Sequence, residues 1–345
     1  MRNIFEIRDN LHAKDDIPSI LKWGAVPQQK VAVSIVMPVY NHPQYFVPAL
    51  ESALNQDFDE PYEIIVVDNN MEDDVAAINE FEAFVQAKND PRVLYYKNEH
   101  NIEGINNFNR GPQLIHSDYF VFLHDDDELC EDCLSVLFAT KKKYNVKDEV
   151  IIVPPYNVDK NSNLFRGKEQ SVAQNKKNPI KEKFKEWFKV IKVPDYQMNM
   201  YDWFLHCYTN GGGCLHSKSA FEEIGGYDAE FIPSGDYALY SAWTYYKGAV
   251  YVNSPHYKYR IAENDAQVVF RTTIERDEFF RTCMIDKIPL PNFLLRAIIK
   301  ARKQSCLRSA ELVWTGKGTT HVTWFEQKLG AFAFVIKKLW IDIRN

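Results

Sequence analysis

The chain has 345 residues, 46% hydrophobic and 26% charged, an ordinary soluble globular composition that allows one large domain with appendages or two domains. Its formal net charge of −6 speaks against nucleic acid as a partner, because binding a phosphate backbone needs a surplus of Lys and Arg. A small phosphorylated ligand held through a metal stays open.

The N-terminus, MRNIFEIRDNLHAKDD, lacks an apolar h-region, so no signal peptide is expected. No window approaches the ~20 apolar residues of a spanning helix. A cytoplasmic location with reduced thiols is therefore expected for the six cysteines. Cys130 and Cys133 form a C-x-x-C without a second pair at zinc spacing, and read as two small apolar residues on a helix.

Residues 1–30 read as an N-terminal extension. Val31 to Tyr40 (VAVSIVMPVY) is a continuous β-branched run, the pattern of a strand covered on both faces. Phe46, Val47, Leu50, Ala53 and Leu54 then recur at helical spacing. Tyr62 to Asn70 reads as a second buried strand, Asp73 to Lys88 as an amphipathic helix, and Arg92 to Asn98 as a third strand. Tyr119 to Asp125 reads as a fourth strand, Cys133 to Tyr144 as a helix and Glu149 to Val158 as a fifth strand. Strands alternating with helices predict an α/β fold with a doubly wound, mostly parallel sheet.

A Lys-rich excursion follows over 159–194, with a short helix expected around Phe184 to Val190. From Asn210 the core pattern returns: a strand near Cys214 to His216, a helix stopped by Gly225-Gly226, a helix opened at Asp236 and a late strand over Ala249 to Arg260. From Thr273 onward the pattern is helical.

In doubly wound sheets, ligands collect beyond the carboxyl ends of the strands. There this chain places Tyr40-Asn41, Asp68 to Asn70, and the triplet Asp125-Asp126-Asp127. Carboxylates without a neighbouring Cys suit a hard cation such as Mg2+ or Mn2+. A triplet before a helix also fits an N-terminus complementing the helix dipole.

VSIVMPVYNHPQYFVPALESALNQDF, EIIVVDNN, NIEGINNFNRG and YFVFLHDDDEL, in that order and spacing, resemble the nucleotide-binding half of inverting family-two GT-A glycosyltransferases of the non-processive bacterial glycan-assembly type. GGYDAEF, SGDYAL and YKYR resemble the acceptor half of the same family. The resemblance covers about Val33 to Arg260 and divides the chain into a nucleotide-sugar half (31–158), an acceptor half (159–272) and a C-terminal helical region (273–345).

It implies a GT-A, Rossmann-like sheet with a C-terminal helical extension. It also implies a nucleotide-sugar donor, UDP-sugar favoured, a glycan or lipid-linked saccharide acceptor, and Mn2+ or Mg2+. By that resemblance Pro38, Tyr40 and Asn41 line the nucleotide pocket, with Tyr40 against the base, and Asp68 contacts base or ribose. Asn69 stands where many members have a second acid. Asn101, Gly104 and Asn109 match the stretch that passes beneath the nucleotide; a plain turn with an N-cap is the other reading.

His124, Asp125 and Asp126 occupy the D-x-D motif, which makes Asp126 the metal ligand and Asp127 a second one, with Asp125 toward the nucleotide. His124 departs from the usual first acid. Asp236 is the implied general base, preceded by Gly235 where the family usually has Glu. His256 and Arg260 stand where basic residues approach the diphosphate, and NGGG (Asn210 to Gly213) would let backbone approach the sugar. The Q-x-x-R-W of processive members is missing, since Gln267 and Arg271 in DAQVVFR have the wrong spacing, so one sugar per encounter is expected.

Two other readings are a nucleotidyltransferase, which would want a Gly- and Arg-rich loop after the first strand, and a catalytically degenerate GT-A-like binding module. The aromatic C-terminal stretch from His321, with Lys328, Lys337 and Lys338, fits peripheral contact with the inner leaflet of a membrane. It equally fits packing on the catalytic domain or a homo-oligomer contact.

Overall fold

The computed structural model describes residues 1–71, 75–164, 195–261, 266–315 and 319–344. The first part runs β1 (Ser19–Trp23), β2 (Val33–Val39), α1 (Pro43–Leu54), β3 (Tyr62–Asp68), α2 (Val75–Lys88), β4 (Val93–Asn98) and α3 (Gly104–Gln113). It continues through β5 (Tyr119–Phe122), β6 (Glu128–Leu129), α4 (Cys133–Tyr144), β7 (Val150–Ile152) and β8 (Pro155–Val158). Next come β9 (Tyr196–Gln197), α5 (Met200–Leu205), β10 (Leu215–Ser217), α6 (Lys218–Ile224), α7 (Gly235–Tyr246), β11 (Ala249–Tyr251) and β12 (Tyr257–Arg260). Three helices close the chain: α8 (Ala266–Met284), α9 (Asn292–Thr315) and α10 (Trp324–Arg344). The short helix expected at 184–190 lies outside the described residues.

A nine-stranded sheet has the order β1-β4-β3-β2-β5-β10-β7-β11-β9. Its centre is parallel: β2 lies between β3 and β5, and β4 follows β3. Every residue of β2 and β3 is buried, as the unbroken apolar runs require of strands covered on both faces. Alternate residues serve different cores. Val33, Ile35, Met37 and Val39 pack with Phe46, Phe81 and Leu134 of α1, α2 and α4, whereas Val36 packs with Phe204, Phe221 and Trp243 of α5, α6 and α7. The doubly wound, mostly parallel GT-A sheet and the C-terminal helices agree with the expectation.

Three details differ from it. The N-terminal extension contributes β1, an antiparallel edge strand on β4. The strand expected over Glu149 to Val158 is two strands, β7 in the large sheet and β8 outside it, because Pro154-Pro155 removes ladder N–H groups. The strand expected over Ala249 to Arg260 likewise divides into β11 and β12 around Pro255. The displaced halves form a second sheet, β6-β12-β8, which holds the aspartate turn from behind. Helix α6 ends where Gly225-Gly226 predicted, with Gly225 at φ 86°. No described helix is long and apolar enough to cross a membrane.

Candidate active site

Side chains stitch the ends of β2, β3 and β5 together. The Tyr40 N–H donates to Asp125 Oδ2 at 2.8 Å, and the Asn41 N–H, at φ 59°, donates to Asn70 Oδ1 at 2.9 Å. The Tyr40 ring stands open at the rim, 43% exposed. Pro38 is buried inside β2 opposite Val67, beyond the last residue pair with β5, where its missing N–H costs nothing. Asp68 is fully buried and accepts from Tyr95 Oη (2.6 Å), Lys97 Nζ (2.9 Å), and the backbone and amide nitrogens of Asn70 (both 2.8 Å). The Asn69 carbonyl accepts from Ile102 N and Asn98 Nδ2, both at 3.0 Å, while its amide donates to Asn101 Oδ1 at 3.0 Å. Asp68 and Asn69 thus form the floor on which the rim loop sits.

Asn109 bridges two parts of the chain. Its amide donates to the Tyr227 carbonyl (2.8 Å) and its carbonyl accepts from the Tyr227 N–H (2.8 Å), so the side chain ties α3 to the chain ahead of α7. Both halves of the amide are spent on backbone.

The aspartate turn is held from β12. Asp127 Oδ1 accepts from the Arg260 N–H at 2.7 Å, and Oδ2 accepts from the Tyr257 hydroxyl, with His124 Nδ1 at 3.2 Å. The Arg260 fork is also spent within the chain. It donates from Nε to the Asp126 carbonyl (2.6 Å), and through its terminal nitrogens to the Asp159 carbonyl (2.9 Å) and Glu128 Oε1 (2.8 Å). These bonds hold the aspartate turn against β12. The two ring nitrogens of His256 meet Asp132 Oδ1 (2.9 Å), just before α4, and Ser254 Oγ (2.8 Å).

Asp126 is left as the open carboxylate; among the described residues it accepts no hydrogen bond. Burial, then the charges of Asp127 and Asp125, push it up to about 7. His124, Asp126 and Asp127 each offer a ligand atom, all within 4.8 Å of one another. Crowded acids with one unpartnered carboxylate are what a divalent cation would relieve, so the residues fit such an ion.

A pH prediction follows. The folded Asp126 holds a proton that the unfolded chain releases. Its contribution to stability is therefore present below about pH 4 and lost as pH rises through about 7. Thermal melts in EDTA should fall across that window and Asp126→Asn should flatten the fall. Mn2+ should restore stability at pH 8 and not at pH 5.

The second acidic station is Asp236, in the first turn of α7. It does not cap the helix; Ser234 holds that position. Asp236 Oδ1 accepts from the Tyr227 hydroxyl at 2.8 Å, and burial raises the carboxyl above its usual range while His124 opposes the rise. His124 in turn links the two stations. Burial lowers its imidazole, but Asp127, Asp126 and Asp236 outweigh that and lift it to about 9.

Gly211, at φ 92°, backs onto the same carboxylate, and a Cβ there would lie 2.9 Å from Asp236 Oδ1. A Cβ on Gly212 would run into the buried Tyr257 ring, so close approach needs glycine at both positions. Gly212→Ala should cost about 1–3 kcal/mol through overpacking, measurable in a denaturant melt. Tyr227, Tyr257 and Asn210, whose amide atoms are both buried without partners, were missed in the sequence. Neither tyrosine's role shows in its sequence neighbours: Tyr227 lies between Gly226 and Asp228, Tyr257 between His256 and Lys258, and only folding brings their hydroxyls to Asp236 and Asp127.

A model of the family described as Glycosyl transferase family 2 matches residues 34–207. The chain is 33% identical over 168 residues to GalNAc(5)-diNAcBac-PP-undecaprenol beta-1,3-glucosyltransferase of Campylobacter jejuni, covering 46% of this chain and 51% of that protein. It is 28% identical over 133 residues to Glycosyltransferase GlyG of Streptococcus pneumoniae, covering 39% and 42%. The aligned region thus spans about half the length of these curated relatives or less. S. aureus TarS 1-349 in complex with UDP-GlcNAc shares the fold, with a TM-score of 0.55 at 13% identity, covering 88% of this chain and 79% of that one. The complex with UDP gives 0.53 at 14%, covering 86% and 77%.

Proposed function

The chain belongs to glycosyl transferase family 2, and on that footing we propose that it is an inverting transferase that moves one sugar from a nucleoside-diphosphate sugar, UDP-sugar favoured, to a hydroxyl of a glycan or lipid-linked acceptor. The observation that carries this reading is the pair of acidic stations: an unpartnered Asp126 in a crowded acidic turn, and Asp236 beside a glycine-lined backbone. Asp236 accepts the proton of the acceptor hydroxyl as that oxygen bonds to the anomeric carbon. The bond from that carbon to the diphosphate breaks on the opposite face, and the nucleoside diphosphate leaves with the electron pair. A divalent cation, Mn2+ or Mg2+, held by Asp126 with Asp127 and His124 beside it, would neutralise charge on the leaving diphosphate. Tyr40, at the open rim, would stack on the nucleotide base, with Asp125 fixing its backbone.

The donor class is supported by TarS, whose complexes contain UDP and UDP-GlcNAc, and the lipid-linked acceptor class by the name of the Campylobacter relative. The test is a panel of nucleotide sugars with Mn2+, scored by thermal stabilisation. A donor at 100 times its dissociation constant should add about 2.7 kcal/mol. No response to any UDP-sugar would remove the UDP reading, and stabilisation without nucleotide release would favour the degenerate binding module.

We also propose that the protein meets a membrane surface through α10. That helix is docked rather than free: Tyr201 Oη donates to the Ala333 carbonyl at 3.0 Å, and Lys337 pairs with Asp202 at 3.3 Å. Lys337 is thereby already paired within the fold. Trp324 and Phe325 remain 71% and 64% exposed, a large apolar surface for a folded chain. The double variant Trp324→Glu, Phe325→Glu should lose flotation with anionic liposomes at low salt while keeping its melting temperature. A variant that instead changes oligomeric state would make the surface a homo-oligomer contact.

A further inference from the structure

Helices α8, α9 and α10 bring three cations around His206, and the chemistry above uses none of them. Arg281 donates from Nε to the Phe204 carbonyl at 3.0 Å and pairs with Asp277 at 3.8 Å. Lys337 pairs with Asp202 and lies 4.3 Å from the centre of the Tyr208 ring. Each of those charges has its carboxylate. Arg302 has none. Among the described residues its guanidinium makes no ion pair or hydrogen bond, and its Nε is buried without a partner. The group rests over the Phe334 ring at 5.3 Å.

Arg302 is half-buried, and a buried donor such as its Nε is costly to leave without a partner, while its terminal nitrogens stay available to a ligand. His206 adds no compensating charge. Although its edge is open to solvent, desolvation by the surrounding protein, then Arg302, Arg281 and Lys337, hold the imidazole down to about 4.

The cluster has a definite place in the fold. On one side, Ser234, which precedes α7, donates to the Thr273 carbonyl of α8 at 3.4 Å, and Asp236 follows two residues later. Cys207 lies in the field of both Asp277 and Asp236. On the other side, Phe334 is 42% exposed and shares α10 with exposed Phe332 and Val335. The exposed Phe334 meets Arg302, Arg302 acts on His206, and Asp236 acts on the next residue, Cys207, so the links run aromatic surface, cation, carboxylate.

We propose that Arg302, with Arg281 and Lys337 beside it, binds a phosphate or pyrophosphate group that joins the acceptor's saccharide to a lipid. A lipid-linked saccharide has the same order, with tail, phosphate, then sugar. The planar fork of Arg302 offers parallel N–H groups to phosphate oxygens. This assignment rests on the glycosyl-transfer reading, and the same chemistry would also serve a phospholipid headgroup.

The test titrates inorganic phosphate against the full chain in EDTA, at constant ionic strength with chloride as the balancing anion, and follows the thermal midpoint. EDTA removes the divalent ions through which phosphate would enter the donor site. The wild type should show a saturable rise. Arg302→Gln should weaken phosphate binding about 10- to 100-fold, Arg302→Lys should weaken it less, and Asp126→Asn should leave it unchanged. UDP with Mn2+ should stabilise wild type and Arg302→Gln alike. No saturable response in the wild type, or an equal one in Arg302→Gln, overturns the site. Arg302-dependent binding to phosphatidylglycerol vesicles without any response to soluble phosphate overturns the acceptor assignment in favour of a headgroup. A wild type that ignores UDP yet responds to phosphate through Arg302 sinks the glycosyl-transfer reading and leaves the anion site standing.

Discussion

Replacing Asp236 with Asn lowers turnover by about 10²- to 10⁴-fold, the usual cost of losing a positioned base, and leaves donor affinity nearly unchanged. The expectation rests on position. Asp236 lies in the first turn of α7, bonded to the Tyr227 hydroxyl, while the open carboxylate of the aspartate turn lies on the other station. The amide keeps the shape and one hydrogen bond to Tyr227, so the fold should persist. Steady-state kinetics with a fixed donor decide the point. Collapse of donor affinity with normal turnover of the bound complex would move Asp236 into the donor site.

Asp126→Asn should have the opposite signature: metal-dependent donor binding and turnover both disappear, and the protein folds at least as well. Its carboxylate accepts no hydrogen bond from the described residues and is pushed up to about 7, so its neutralisation removes repulsion from Asp127 and Asp125. Calorimetry of UDP with and without Mn2+, paired with a melt, reads both effects. Full activity in that variant would take the metal away from this turn.

Much of the scaffold was readable because local signals agreed. β2 and β3 are unbroken β-branched runs, α4 falls on the expected bounds, and Gly225 stops α6. β1 escaped notice because Ser19–Trp23 alternates half-buried and exposed positions at a sheet edge, with little apolar signal. The splits at Pro154-Pro155 and Pro255 create the sheet that carries Arg260 to the aspartate turn, and pairing between residues some 130 positions apart leaves no local pattern.

Residue chemistry was legible as type and not as occupancy. The sequence displays a guanidinium at Arg260 and an amide at Asn109. It does not show that Glu128, the Asp126 carbonyl and the Tyr227 backbone already use them. Asp126 and Arg302 stand out for the converse reason: tertiary structure brings charges around them and gives them no hydrogen-bonding partner among the described residues.

The central claim is that this chain breaks a nucleotide-sugar bond using the two acidic stations. Its most direct measurement is release of nucleoside diphosphate from a stabilising donor, with Mn2+ and with excess EDTA, in the wild type, Asp126→Asn and Asp236→Asn. The account predicts release in the wild type with Mn2+ alone, near-background rates in EDTA and in Asp126→Asn, and a large loss in Asp236→Asn despite intact donor binding. Donor binding without release in the wild type, or release undiminished by EDTA, would contradict it.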